Sequence, residues 1–354
     1  MSSRQQISRG QGPAVHRYYD IPAESPDGKS ILYFEFDEVI PGPGHVIVAD
    51  SDGSNPREVG RADGDCTGHV GALQLWLDDR TICFTPSGDV SESSLIVNLQ
   101  TGEQTHLDGQ IRTWDEANRR AIALGRGVRD DTDFGRRQRP VVELWQADTD
   151  EFTRLFELED AAAVHPRAGS IDTARMNFMN AKWAPGGGRF FVVFTDELYA
   201  RHHSRPRTIK SLMQYRLDAG RPEYLGEFTH HPMWSPDGRF VLAHLDNDRG
   251  GQDLVALQAG QSPEILLADY EGVHSSQSAD GRRVLTDSFR SDGSGAVLLY
   301  DLSDGSVQTL DVGRHEKHGH QAGSHIHPQF SRDLRRIIYN LADTGQPQLC
   351  AMSL

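Results

Sequence analysis

The stretch Trp234-Ser235-Pro236-Asp237-Gly238-Arg239, followed at once by Phe240-Val241-Leu242-Ala243, decides the fold. Proline fixes φ at the second position of a tight turn, aspartate caps the turn with its side chain, and glycine takes the positive φ that the turn requires. The apolar run behind the turn is short and rich in β-forming residues, which is typical of a buried strand. The stretch therefore predicts a strand, a tight turn and a second strand.

The same pattern recurs along the whole chain, with four further recognisable copies and two degenerate ones between them. The other turns are Ser25-Pro26-Asp27-Gly28, Leu77-Asp78-Asp79-Arg80, Trp114-Asp115-Glu116-Ala117-Asn118, Trp183-Ala184-Pro185-Gly186-Gly187, Ser278-Ala279-Asp280-Gly281 and Phe330-Ser331-Arg332-Asp333. Seven copies over this length give a mean period of roughly fifty residues, which is the length of a propeller blade. A four-stranded blade cannot bury both of its faces alone, so blades stack around a channel.

The predicted fold class is therefore all-β, a seven-bladed β-propeller formed by residues 1–354 as a single domain, with residues 1–12 as a flexible N-terminal extension. No amphipathic helix of ordinary length is recognisable, which argues against helical solenoids and α/β folds. Insertions at 126–140 and 196–208 blur the repeat, and counts of six or eight blades stay open.

Composition excludes several classes of function. The chain carries 36 Lys and Arg against 51 Asp and Glu, a net charge of −15, which argues against binding to a nucleic-acid backbone. No apolar run is long enough to span a membrane, and the N-terminus lacks the apolar core of a signal peptide. Three widely spaced cysteines, without a CxxC pair, predict neither a disulfide framework nor a thiolate zinc site. A cytoplasmic location is the expectation, and the oligomeric state is left open.

Histidines depart from the blade pattern. Among the 16 in the chain, several lie just ahead of the tight turn in their blade: His16, His231, His274, and the pair His325 and His327. In a propeller this segment forms the innermost strand or the loop that enters it. Equivalent positions in neighbouring blades converge near the axis, so histidines about fifty residues apart can become neighbours.

The spacing of His325 and His327 predicts that both rings lie on one face of an extended strand, because side chains alternate with period two. Together with His274 of the neighbouring blade they form a plausible three-nitrogen metal site, which a carboxamide or water would complete. The alternative is that these histidines only form hydrogen bonds with loop backbone.

Two further groups carry possible chemistry. His231, if neutral, is a possible general base, or simply a turn histidine preceding a proline. The strongest positive cluster runs from Arg201 to Lys210 and includes Arg207. It suits a substrate with a carboxylate, although a solvated loop is an equally good reading.

Other catalytic templates are missing from the sequence. There is no GxSxG, no Walker A and no GxGxxG after a strand, so a serine hydrolase, a P-loop enzyme and a dinucleotide-binding enzyme are not expected. Paired-carboxylate glycosidase chemistry stays open, because the sequence does not show which carboxylates converge.

The chain resembles the oligogalacturonate lyases, seven-bladed propellers with TolB/WD40-like blades. The best segment runs from Gln321 to Asp333 and is similar to the motif Gln-x-x-His-x-His-Pro-x-Phe-x-x-Asp of that family. Thr229 to Trp234, Val273-His274-Ser275 and His16-Arg17-Tyr18-Tyr19 are also similar. The resemblance is patchy but spans nearly the whole chain.

The resemblance implies a metal centre and a reaction. Three histidines and a glutamine that bind manganese in the family match His274, His325, His327 and Gln321. The histidine implicated in catalysis matches His231, and the nearest candidates for an active-site arginine are Arg207 and Lys210. The implied activity is Mn²⁺-dependent β-elimination of a small anionic oligosaccharide of uronic acids, a pectin fragment, to a 4,5-unsaturated product.

Two other functions stay open at this point. One is a non-catalytic TolB-like propeller that binds a protein or a small ligand at its mouth. The other keeps the metal but hydrolyses or isomerises a sugar acid.

Overall fold

The computed structural model describes residues 4–8, 10, 12–87, 93–124, 129–132, 135–138, 141–290, 292–314, 324–343 and 345–354. Within them the chain forms seven four-stranded antiparallel sheets and one two-stranded sheet. The prediction of an all-β, seven-bladed β-propeller is therefore confirmed. The chain divides into two compact units, Met1–Leu107 with Glu271–Leu354, and Asp108–Tyr270. The prediction that residues 1–354 form a single domain stays a prediction.

The first unit holds four blades. Blade 7 consists of β28, β29 and β30 with β1 added at its outer edge, and blades 1, 2 and 6 consist of β2–β5, β6–β9 and β24–β27. The strands are β1 (Gln5–Gln6), β2 (Ala14–Val15), β3 (Ser30–Phe36), β4 (Gly42–Asp50), β5 (Arg57–Cys66), β6 (Leu75–Asp78), β7 (Thr81–Phe84), β8 (Ser93–Asn98), β9 (Gln104–Asp108), β24 (Ser276–Gln277), β25 (Arg283–Phe289), β26 (Ser294–Asp301), β27 (Val307–Arg314), β28 (Gln329–Phe330), β29 (Arg336–Leu341) and β30 (Gln348–Ser353).

The second unit holds three blades. Blade 3 consists of β10, β11, β14 and β15, blade 4 of β16–β19, and blade 5 of β20–β23. The strands are β10 (Gln110–Asp115), β11 (Arg120–Leu124), β12 (Arg129–Thr132), β13 (Gly135–Gln138), β14 (Val141–Gln146), β15 (Glu151–Glu157), β16 (Asn177–Trp183), β17 (Arg189–Thr195), β18 (Lys210–Arg216), β19 (Arg221–Glu227), β20 (His230–Trp234), β21 (Val241–Asp246), β22 (Gln252–Leu257) and β23 (Glu264–Leu267).

Both insertions lie inside blades of this unit. The hairpin of β12 and β13 stands between the second and third strands of blade 3. A short helix, α2 (Glu197–His202), stands at the same place in blade 4, and α1 (Leu158–Val164) with the 3-10 turns Ala168–Ser170 and Thr173–Arg175 links the two blades. In the described residues no helix is long and apolar enough to cross a membrane.

The repeated turn connects the first two strands of a blade, as predicted, and a small hydrogen-bond network stabilises it. In blade 5 the Ser235 hydroxyl donates to Asp237 at 2.7 Å, and the same carboxylate accepts the backbone N–H of Arg239 at 3.0 Å. Gly238 follows with φ of 68°. These bonds and the nearby arginine lower the pKa of Asp237 to about 2. The network recurs at Ser25, Ser278 and Ser331, so in these four blades the turn is specified locally by its own residues.

Neighbouring blades pack through apolar faces. In the first unit, Phe34 of β3 packs with Phe84 of β7 between blades 1 and 2, and Leu285 packs with Ile337 between blades 6 and 7. An aromatic residue of an inner strand adds a hydrogen bond between blades, since the Trp76 indole donates to the carbonyl of Ala23 at 2.9 Å. Burying these faces stabilises the unit by roughly 25 cal/mol per Å² of apolar surface.

The N-terminal strand differs from expectation. Gln5 and Gln6 pair with Ala351 and Cys350 as the outermost strand of blade 7, and Ile7 is fully buried. Gln5 and Gln6 are therefore part of the sheet rather than of a flexible extension, and they cover the edge of β30 that would otherwise be open. All three cysteines are buried, and burial raises the pKa of Cys83 and Cys350 to about 12.

Candidate metal centre

Four histidines of the first unit converge at one place: His69, His274, His325 and His327. Each lies in the segment that leads into the first strand of its blade, namely blade 2, blade 6 and, for the last pair, blade 7. One nitrogen atom from each ring lies within 4.8 Å of the corresponding atom of every other ring. The structure thus brings together the three histidines predicted to ligate a metal and adds a fourth.

The rings meet at steep angles to one another, so their nitrogen atoms point toward a common volume. Ring centroids of His274 and His327 lie 4.2 Å apart at 87°. Those of His69 lie 4.6 Å from His325 and 4.7 Å from His327. His274 and His327 are fully buried, whereas His69 and His325 are partly exposed, which leaves one side of the cluster accessible from solvent.

Asp287, in β25 of blade 6, orients two of these histidines. Its carboxylate accepts a hydrogen bond from His274 Nδ1 at 2.9 Å and from the backbone N–H groups of His274 and His327 at 2.9 and 3.0 Å. Donation from Nδ1 leaves the lone pair of His274 on Nε2, the atom that lies 3.4 Å from His325 Nδ1. A carboxylate behind a ligating histidine is the usual second layer of a metal site.

The electrostatics of this carboxylate follow from its burial. Asp287 is fully buried, and the loss of solvent raises its pKa to about 6, against the opposing effect of the hydrogen bond from His274. Its three N–H donors compensate part of the cost of burying the charge.

His327 provides the test of whether the site fits a metal. Burial, then the neighbouring His274, His69, His325 and His16 rings, hold its pKa well below the usual value, so the ring is neutral. Among the described residues, neither of its ring nitrogens has a hydrogen-bond partner. An orphaned buried polar group costs about 1–3 kcal/mol, and a metal ion bound to one of the nitrogens would remove that cost. A neutral ring with a free lone pair is what a metal requires.

The backbone around His325 and His327 departs from the predicted extended strand. The strand begins only at Gln329, and His327 has φ of 48°, in the left-handed region. The rings still converge, because Asn340 of β29 holds the loop: its side chain donates to the His325 carbonyl at 3.1 Å. A left-handed turn, rather than the two-residue alternation of a strand, places the two rings.

Aromatic residues surround the cluster. Tyr18 packs against His327 and His69 with centroid distances of 4.7 and 5.0 Å, and Phe289 packs against His325 at 5.0 Å. His16 is fully buried and its Nδ1 accepts a hydrogen bond from Gln329 at 3.0 Å. This histidine supports the strand behind the cluster and is not one of the converging donors.

Sequence reasoning missed His69. It lies in the tight turn Thr67-Gly68-His69-Val70-Gly71, which the backbone N–H of Gly71 closes by donating to the Thr67 carbonyl at 2.9 Å. The signal was present, because this turn precedes the first strand of blade 2 as the other histidine segments precede theirs. It was hidden because blade 2 carries only a degenerate copy of the repeated turn.

Gln321, the carboxamide that the resemblance assigns to the metal, lies outside the described residues. So do His315, His318 and His320. Nothing in the described part of the chain tests the prediction that Gln321 is a ligand.

The predicted catalytic residues His231, Arg207 and Lys210 lie in the second unit. His231 is partly exposed, has φ of 45°, and lies 5.5 Å from the His230 ring. The Lys182 ammonium donates to the carbonyl of Pro232 at 2.5 Å, and the Trp234 indole donates to the Lys182 carbonyl at 3.0 Å. These two bonds fasten the strand that carries His231 to blade 4.

Arg207 and Lys210 surround one carboxylate. Glu197 of α2 lies 3.7 Å from the Arg207 guanidinium and 3.4 Å from the Lys210 ammonium. Burial, opposed by Glu197, lowers the pKa of Lys210. Partial burial and the charges of Lys210 and Arg207 also lower the pKa of His230. The surroundings of His230 are therefore positive although the protein as a whole is acidic.

Comparison with solved structures identifies the fold. One oligogalacturonate lyase, in complex with manganese, matches 100% of this chain and 96% of its own with a TM-score of 0.71 and 12% identity. The lyase from Vibrio parahaemolyticus matches 99% of this chain and 93% of its own with a TM-score of 0.73 and 12% identity. The β-propeller domain of the Trilobed protease from Pyrococcus furiosus matches 99% of this chain and 94% of its own, with a TM-score of 0.51 and 13% identity.

No protein-family model matches the chain, and no curated protein matches it in sequence. The similarity to the solved structures is one of fold.

Proposed function

We propose that the chain is a metal-dependent lyase that cleaves short uronic-acid oligosaccharides, of the oligogalacturonide kind, by β-elimination to a 4,5-unsaturated product. The observation that carries the proposal is the convergence of His69, His274, His325 and His327 on a propeller whose fold is that of two oligogalacturonate lyases. One of those lyases is in complex with manganese, which makes Mn²⁺ the first ion to test.

The reaction sets two requirements. The proton at C5 of a uronide is α to a carboxylate and only weakly acidic, so the negative charge left by its removal must be stabilised and a base must accept the proton. A divalent ion bound to the substrate carboxylate would supply that stabilisation. The glycosidic oxygen at C4 then leaves, and a C4–C5 double bond forms.

The residues of the first unit would hold the ion. His274 is fixed by Asp287 with its Nε2 lone pair facing the cluster, and His327 offers a neutral ring. His69 and His325 form the accessible side, where a substrate carboxylate would approach. Because all four donors are neutral imidazoles, the ion would keep its full positive charge toward that carboxylate.

For the proton transfer we propose His231, the residue that the resemblance assigns to catalysis. For holding substrate charge we propose Arg207 and Lys210. The Arg207 side chain is 33% exposed and that of Lys210 is 16% exposed, so Arg207 is the more accessible of the two. A guanidinium also matches the planar geometry of a carboxylate in two hydrogen bonds.

The test is an elimination assay. Purified protein is incubated with oligogalacturonides and Mn²⁺, and the ultraviolet absorbance of the conjugated product is followed. The proposal predicts an absorbance increase that His327→Ala abolishes and His45→Ala, a partly exposed histidine of blade 1 outside the cluster, leaves unchanged. No increase with any uronide tested, with or without metal, would overturn the lyase function.

The mass of the product separates the two metal-dependent reactions. Elimination adds no water to the combined mass of the fragments, whereas hydrolysis adds one. If the product is that of hydrolysis, the proposed metal centre stands, but the function is that of a sugar-acid hydrolase and not of a lyase.

A further inference from the structure

We infer that His69 is the fourth ligand of the metal centre, and that the resulting four-imidazole site prefers Fe²⁺, Co²⁺, Ni²⁺ and Zn²⁺ over Mn²⁺. The inference rests on the metal-holding role proposed above and is independent of the reaction that the metal serves. It names a ligand that lies in a different blade from the three predicted histidines.

Backbone hydrogen bonding and side-chain packing hold His69 in place. Its ring lies within contact distance of His325 and His327 and nearly perpendicular to the first, at 86°. The Gly71 to Thr67 hydrogen bond closes the turn that carries it, and the Tyr18 ring packs against the His69 ring at a centroid distance of 5.0 Å. Backbone and packing together restrict the orientations that this imidazole can take.

The donor set contains no carboxylate. In the described part of the chain, the group of atoms lying within 4.8 Å of one another consists of four histidine nitrogens. The buried carboxylate of Asp287 is turned toward three N–H donors of His274 and His327 and acts behind the ligands. Every protein donor identified at the centre is therefore a neutral nitrogen.

Donor chemistry then determines which ions are favoured. Imidazole suits Zn²⁺, Cu²⁺, Fe²⁺ and Ni²⁺, whereas carboxylate, carbonyl and water oxygens suit Mn²⁺. Exchanging one oxygen donor for a fourth imidazole therefore raises the affinity for the later ions more than the affinity for Mn²⁺. Any site of nitrogen donors binds Zn²⁺ more tightly than Mn²⁺. The test is therefore how far the ratio of the Zn²⁺ and Mn²⁺ affinities changes when His69 is replaced.

The experiment measures binding rather than activity. The full chain is stripped with a chelator, and the Kd values for Zn²⁺, Co²⁺ and Mn²⁺ are measured by competition with a chromophoric chelator. We expect His69→Gln, which replaces an imidazole nitrogen by an amide oxygen, to reduce the ratio of Kd(Mn²⁺) to Kd(Zn²⁺) by at least about tenfold. His45→Gln, made in the same unit, is the matched control and is expected to keep the ratio of the unmodified chain.

A spectroscopic measurement on the unmodified protein does not depend on the variant folding. The electron paramagnetic resonance spectrum of the Cu²⁺-loaded chain counts the coupled nitrogens, and four are expected, against three in His69→Gln. Three coupled nitrogens in the unmodified protein, or an unchanged affinity ratio in a folded His69→Gln variant, would overturn the inference.

The outcomes separate the inference from the proposed function. Tight binding of Zn²⁺ with the His69-dependent ratio, together with no elimination, would keep the inference and overturn the lyase. If the chain catalyses elimination but the ratio of Kd(Mn²⁺) to Kd(Zn²⁺) is the same in His69→Gln and the unmodified chain, the lyase stands and the inference is overturned. A chain that binds none of these ions would overturn both.

Discussion

The carboxylate of Asp287 accepts a hydrogen bond from His274 Nδ1 at 2.9 Å, and both side chains are completely buried. The bond fixes which ring nitrogen carries the proton. The same carboxylate holds the backbone of His327, so one acidic side chain sets the geometry of two candidate ligands in two blades.

Asp287→Asn is expected to weaken metal binding by about 10–100-fold, because an amide supplies one acceptor oxygen where the carboxylate supplies two. It should also lower the free energy of unfolding of the metal-free protein by about 1–3 kcal/mol, since at least one buried N–H loses its partner. Calorimetric titration and thermal unfolding measure the two effects. Asp292→Asn, an exposed acid of the same blade, is the control; an equal loss of affinity there would contradict the assignment.

Metal removal is expected to destabilise the protein. Because the donors come from blades 2, 6 and 7 of the first unit, an ion binds the folded chain and not the unfolded one. At a free ion concentration of 100 times Kd the stabilisation amounts to about 2.7 kcal/mol. Thermal unfolding with Zn²⁺ and with excess chelator measures it, with Mg²⁺ as the control ion. Identical midpoints with Zn²⁺ and with chelator would show that no ion is held.

A buried histidine of the second unit predicts a pH dependence. His244 in β21 is fully buried, and desolvation followed by the charge of His230 lowers its pKa to about 3. Since the pKa is depressed on folding, the unfolded state binds the proton first, and stability is lost as pH falls below the unfolded value near 6.5. Between pH 6 and 4.5 this group alone should contribute a slope of about 1.4 kcal/mol per pH unit.

Chemical denaturation across this range, comparing the unmodified chain with His244→Gln, measures the difference between the two slopes. His203→Gln, which replaces an exposed histidine of the same unit, serves as the control. Equal slopes for the unmodified chain and His244→Gln would contradict the prediction.

Leu334→Gly is expected to stabilise the protein by about 0.5–1 kcal/mol. Leu334 occupies the position of the turn where Gly28, Gly238 and Gly281 stand in other blades, and it has φ of 59°. A left-handed conformation costs a non-glycine residue about 1–2 kcal/mol. Removing that cost is partly offset, because glycine has more conformational freedom in the unfolded state. Denaturant unfolding measures the change.

The reverse change provides the matched test. A Cβ added at Gly281 would meet no atom closer than 3.6 Å, so Gly281→Ala changes the backbone strain without a steric clash. It should destabilise by about 1 kcal/mol. A neutral Gly281→Ala would show that the turn does not impose the strain.

The fold could be predicted because its signal is local. The hydrogen bonds of Ser235 and Asp237 fall within a few residues of each other, so each copy of the turn is specified by its own sequence. The convergence of His274, His325 and His327 followed from equal positions in repeated blades. Both predictions needed only the length of the blade repeat and the order of the strands within a blade.

The remaining features of the site depend on contacts that periodicity does not encode. His69 lies in an irregular turn whose length varies between blades, and Asp287 lies one strand outward from the positions where ligands were sought. The left-handed backbone of His327 follows from tertiary hydrogen bonds with Asp287 and Asn340. The two-residue alternation of a strand correctly predicts that the rings of His325 and His327 are neighbours, but it is a left-handed turn that brings them together.

If the four histidines bind an ion as proposed, the order in which they are synthesised limits when the ion can be bound. During synthesis at about 5–20 residues per second, the segment carrying His69 emerges on the order of ten seconds or more before that of His274, since ~200 residues separate them. The pair in blade 7 follows later still. A chain that captures its ion with all four rings has therefore already assembled the blades at both ends of its sequence, and a tightly held ion marks a molecule whose folding in this unit is complete.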